Sequence, residues 1–74
     1  MKTLAELMPG EWGMAEEHKC EKLKRLGLIS GTKVYCLRKS PLGDPTAYDI
    51  RGAVFAVRKK DAERVPISEE RGRA

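Results

Sequence analysis

His18, Cys20 and Cys36 are the histidine and the two cysteines of this chain, the side chains most readily turned to metal binding or nucleophilic catalysis. His18 and Cys20 fall in a stretch that reads as helix. There, residues two apart point about 200° away from one another and cannot grip one ion. Cys36 could meet one of them across the core, but a structural zinc site takes four ligands and the chain offers three soft ones. The cysteines therefore read as small core residues. No metal site and no cofactor is expected, and metal picked up at His18 or the cysteines would be adventitious. The sequence has no Gly-x-Ser-x-Gly, no phosphate-binding loop and no dinucleotide-binding glycine pattern. Its carboxylates are spread among lysines, as on solvated faces. A non-enzyme is expected.

The remaining chemistry is charge. Net charge is +4 over 74 residues. Residues 1–30 carry five Lys/Arg and five Glu, whereas residues 31–74 carry ten Lys/Arg against six Asp/Glu. A basic C-terminal half with Arg58-Lys59-Lys60 beside Phe55 could contact phosphates, which makes a small nucleic-acid-binding module the alternative function. Trp12, Tyr35, Tyr48 and Phe55 are all the aromatics there are. They are too few, and too core-like in their spacing, for a base-stacking platform, so nucleic acid is the weaker reading.

These residues must be positioned by one small domain, spanning 2–67, with a polar flexible tail over 68–74. Thr3-Leu4-Ala5-Glu6 fits a capping box and opens one helical turn, which Pro9-Gly10 stops. Trp12 and Met14 alternate with Glu11 and Gly13 as a short strand. Residues 15–26 read as the clearest helix, with Glu16 and Glu17 in its first turn and Lys24 and Arg25 in its last. Cys20, Leu23 and Leu26 share a face, and Gly27 is the left-handed residue past the end. Thr32–Lys39 and residues 48–51 read as half-buried strands. Gly52 marks a bulge or sharp bend before a strand over 53–58. Residues 60–64 suggest another helical turn, and 65–67 a last short strand whose Pro66 belongs at a sheet edge. The expected class is mostly β with one or two short helices inserted, an α+β domain closed into a small barrel. Met1 opens a polar stretch without a signal-peptide core, and two cysteines are few for a secreted domain. No apolar run reaches the roughly 20 residues a membrane span needs. A reduced, cytoplasmic protein is expected.

Between the two central strands lies Ser40-Pro41-Leu42-Gly43-Asp44-Pro45-Thr46. Pro41 at the first corner and Gly43 at the fourth position suit a type I turn. Asp44 can bond backbone N–H groups, and Pro45 stiffens the entry to the next strand. None of this needs Leu42. Two readings remain open: Leu42 folds inward and plugs one end of the barrel, or it is an exposed apolar knob that inserts into a partner's pocket.

Five segments together resemble one family. They are residues 2–10 (Lys-Thr-Leu-Ala-Glu-Leu-Met-Pro-Gly), 23–28 with 30–32, 40–45, 50–52 and 56–62. In this order they are similar to FeoA proteins over residues 2–67. The resemblance implies an SH3-like barrel with helical insertions. It also implies a non-enzymatic accessory role in bacterial ferrous iron uptake, through binding a FeoB-like membrane permease. The family offers no agreed catalytic residues. Leu42, Gly43, Asp44, Pro45 and Arg51 are the expected partner-binding residues, and weak self-association is a further expectation. One departure stands out. The charged segment 14–22 is shorter than the family's strand and glycine-containing loop at that place, so the first barrel strand is expected to be truncated or replaced by helix.

Overall fold

The computed structural model describes residues 2–73. Along the chain run β1 (Lys2–Thr3), a 3₁₀ turn (Leu4–Glu6), β2 (Glu11–Ala15), α1 (Glu21–Arg25), β3 (Lys33–Lys39), β4 (Thr46–Ile50), β5 (Ala53–Val57), α2 (Lys59–Ala62) and β6 (Pro66–Arg73). The six strands form one antiparallel sheet in the order β1-β6-β2-β3-β4-β5. The sheet wraps a single apolar core. Leu4, Leu7, Leu23, Leu28, Val34, Tyr48, Ile50, Val65 and Ile67 are its large, fully buried members. The expected class, mostly β with two short helices, is the observed one.

Local signals explain the chain's turns. Glu6 reaches back to accept the Thr3 N–H at 2.9 Å, which is the acidic half of the capping box. Past α1, Gly27 N–H bonds the Lys24 carbonyl at 3.0 Å and Leu28 N–H bonds that of Leu23 at 3.1 Å. This pair is the Schellman motif, with Gly27 at φ +97° and Leu28 folded fully into the core. Gly52 proves to be half of a two-residue hairpin that pairs Ile50 with Ala53. Arg51 (φ +55°) and Gly52 (φ +88°) both take positive φ, as a type I′ turn requires. The register shifts instead fall between Gly13 and Ala15 and between Cys36 and Arg38.

Three expectations are corrected. The segment expected to lose its strand to helix keeps one: β2 runs Glu11–Ala15 inside the sheet, between β3 and β6. The helix expected over 15–26 is only Glu21–Arg25. The cause is long-range pairing. Ala15 N–H bonds the Thr32 carbonyl at 2.8 Å, and Glu16 N–H bonds that of Pro66 at 2.9 Å. Ladder bonds to two strands thus capture residues whose local composition favours helix. Third, Pro66 is not on a sheet edge, since β6 sits between β1 and β2. Its missing N–H is harmless because it opens the strand, and its carbonyl is used by Glu16. The backbone of β6 continues past Ile67, pairing Arg71, Gly72 and Arg73 with β2 where a tail was expected from 68. On β2 the buried residues are Gly13 and Ala15, so Trp12 and Met14 lie on the outer face, half-buried.

Candidate interaction site

The β3–β4 connection, residues 40–45, is the feature the sequence could not assign. Gly43 N–H bonds the Ser40 carbonyl at 2.8 Å, and no positive φ occurs at Leu42, so the turn is type I as its residues suggest. Ser40 N–H also reaches the Pro45 carbonyl at 3.2 Å. Asp44 bonds far from itself: its Oδ1 accepts the N–H of Lys59, the first residue of α2, at 2.9 Å. Lys39 Nζ donates to the Ala5 carbonyl at 3.4 Å and fixes the loop's base to the 3₁₀ turn. Four bonds, two of them long-range, therefore hold a six-residue loop.

Leu42 stands at its tip, 94% exposed. The barrel-plug alternative does not hold. That end of the core is closed from within instead, by Tyr48, whose hydroxyl donates to the Leu4 carbonyl at 3.1 Å. Burial, then the neighbouring Cys36, pushes the Tyr48 phenol up to about 12, so it stays a donor further into the alkaline range than a free tyrosine. Burial likewise raises the Cys36 thiol, with Lys39 opposing. Beside the knob, Ala5, Lys39, Gly43, Thr46, Tyr48 and Lys59 line a small cleft of about 160 Å³.

Gly43, Asp44 and Pro45 are exposed or half-exposed beside Leu42. Arg51 is not with them. It occupies the hairpin at the opposite end of β4, where its aliphatic stem lies over Gly27. The sequence pattern grouped five residues that the fold divides into a loop of four and one distant arginine.

The soft side chains are accounted for by packing. His18 is 5% exposed and lies in the irregular segment before α1 rather than on a helix. Its Nδ1 accepts the Cys20 N–H at 3.1 Å, so its Nε2 carries the proton donated to the Leu28 carbonyl at 2.7 Å. Both ring nitrogens are thereby engaged. Cys20 and Cys36 are free thiols in the core. Among the described residues no three of His, Cys, Asp and Glu come together as a metal-ligand set.

Two further surface features escaped the sequence reading. An open groove of about 540 Å³ runs between the helices, lined by Lys19, Lys22, Lys60 and Arg64 with Glu21 and Asp61. Asp61 is nearly buried there and pairs with Lys22 at 3.4 Å. On the outer face of the sheet, Lys33 Nζ sits 4.2 Å from the Trp12 ring centre and 5.2 Å from that of Tyr35. Trp12 and Tyr35 face each other across β2 and β3, and Lys33 joins them from two residues before Tyr35. That period-two spacing was legible, but the partner strand was not.

The family model described as the FeoA domain matches residues 2–69. Comparison with curated proteins finds no match. Among solved structures, FeoA of Stenotrophomonas maltophilia is similar at 25% identity and a TM-score of 0.87, over 99% of this chain and 98% of that one. It is described as a prokaryotic SH3 domain protein and was crystallised with zinc. FeoA of Chlorobium tepidum is 30% identical at a TM-score of 0.81, covering 88% of this chain and 67% of that one. A FeoA-like protein of Clostridium acetobutylicum is 25% identical at a TM-score of 0.83, with 89% and 83% covered.

Proposed function

Because the chain belongs to the FeoA domain family, whose members are ferrous iron transport accessory proteins with an SH3-like fold, we propose that it is a non-enzymatic adaptor that binds a FeoB-like permease on the cytoplasmic side. Leu42 is the observation that carries this reading. Leu42 is 94% exposed and contributes nothing to the core, so at the tip of a braced loop its whole side chain is free to fill a partner's pocket. Held by the bonds through Ser40, Gly43 and Asp44, it loses little entropy when a partner's pocket closes on it. Gly43, Asp44 and Pro45 form the rim, while Arg51 would touch only a partner that spans the length of β4. No helix among the described residues is long and apolar enough to cross a membrane, so the chain would meet such a permease from outside the bilayer's core.

The test is a titration of the protein against the permease's cytoplasmic region and the full-length permease, with Leu42→Ser beside the wild type. Leu42→Ser is expected to melt within a degree or two of wild type and to weaken binding by ten-fold or more, the behaviour of a central apolar anchor. Wild-type binding to neither form of the permease would sink the proposal, as would unchanged ferrous iron uptake in cells lacking the protein.

A further inference from the structure

We propose that the free edge of β5 is a strand-docking site for an extended apolar segment with acidic flanks, supplied by another protein. Because Ile50 and Ala53 close a two-residue hairpin, they exchange both backbone bonds, and so do Tyr48 with Phe55 and Thr46 with Val57. The N–H and C=O groups of Val54 and Ala56 consequently point away from β4. β5 ends the sheet, and among the described residues nothing pairs with that side.

Sheet edges are ordinarily blunted by charge, proline or a bulge. Ala53-Val54-Phe55-Ala56-Val57 has none of these, and its five pairs with β4 run without a register shift. Val54 is 63% exposed and Ala56 is exposed with it on the outer face. Phe55 and Val57 turn inward, half-buried and buried. The strand therefore offers two outward pairs of backbone groups flanked by small apolar side chains, the requirement for adding a strand.

Charge selects the occupant. Exposed Arg51 precedes the strand, and exposed Arg58, Lys59 and Lys60 follow it. Three nearby carboxylates are already engaged: Asp49 accepts the Gly52 N–H, Asp44 the Lys59 N–H, and Asp61 pairs with Lys22. A second copy docked antiparallel through Val54 and Ala56 would set Arg51 opposite Lys59 at both ends, and like charges directly opposed are destabilising. A segment with Asp or Glu on both flanks meets cations instead. This site lies outside the Leu42 loop and does not depend on the identity of that loop's partner.

Isotope-labelled protein titrated with the peptide Glu-Glu-Val-Thr-Val-Thr-Val-Glu-Glu tests the inference. Amide shifts and slowed hydrogen exchange are expected at Val54 and Ala56. The same core flanked by lysines is expected to bind ~10-fold or more weakly, as lost charge pairs at both ends imply. Val54→Pro removes an outward N–H without touching the β4 ladder, and it is expected to leave the other amide shifts in place and abolish binding. No response at Val54 and Ala56 at millimolar peptide overturns the proposal. So does equal binding of the lysine-flanked peptide, or concentration-dependent pairing of β5 with itself in the absence of peptide.

Discussion

At the scale of single residues, Tyr48 carries the clearest energetic consequence. Its hydroxyl spans the core's end to the Leu4 carbonyl, and its phenol is raised to about 12. An unfolded tyrosine titrates near 10. Between those values the folded chain holds a proton the unfolded chain has released. Tyr48 therefore contributes stability that is complete below about pH 10 and lost as pH rises through about 12, roughly 2–3 kcal/mol in all. Tyr48→Phe is expected to cost about 1 kcal/mol at pH 7, because the Leu4 carbonyl loses its donor. Urea unfolding from pH 7 to 11.5 should show that deficit shrinking and then reversing; a deficit independent of pH would sink the assignment. Alternation in 48–51 made the burial of Tyr48 legible. Its hydrogen-bond partner, 44 residues away in sequence, had no local signature. Leu42 is the opposite case. Its turn type was legible, but whether it pointed in or out depended on Tyr48 already filling the end of the core.

At the scale of elements, the end of α1 was legible and its beginning was not. Gly27 and Leu28 satisfy the last carbonyls of their own helix, so the signal lies within six residues. Gly27→Ala would force a side chain into φ +97° and set its Cβ 2.9 Å from Arg51 Cδ. The backbone term dominates, since the arginine stem can move aside. A loss of about 1–2 kcal/mol is expected in chemical denaturation. Adding Arg51→Ala is expected to restore only a minor part of it, and a Gly27→Ala protein as stable as wild type would contradict the Schellman ending. The start of α1 was misjudged because residues 15 and 16 spend their backbone bonds on β3's approach and on β6, and because His18 braces the following segment through Cys20 and Leu28. Helix propensity in a charged stretch amounts to a few tenths of a kcal/mol per residue, less than two buried ladder bonds and a satisfied imidazole.

At the scale of the whole molecule, the last strand joins the first, β1, to the rest of the sheet. β6 lies between β1 and β2, and its Ile67 is fully buried beside Leu4 and Leu7 in the one core. A chain ending at Val65 would lose that strand and leave β2 with an unpaired edge. It is expected to show no cooperative thermal transition by circular dichroism, and a sharp melt would mean that β6 is dispensable. What the sequence by itself determined were the features whose causes are local or alternating: the capping box, the Schellman end, the type I turn, the strands read over 32–39, 48–51 and 53–58, and, through five short segments in order, the family. What only the tertiary structure decided were the extent of β2, the inside position of β6, the outward stance of Leu42, the separation of Arg51 from it and the bare edge of β5. Each of these depends on which strand lies next to which. Strand pairing is made by backbone groups common to every residue, so partners far apart in the chain leave little trace in side-chain type.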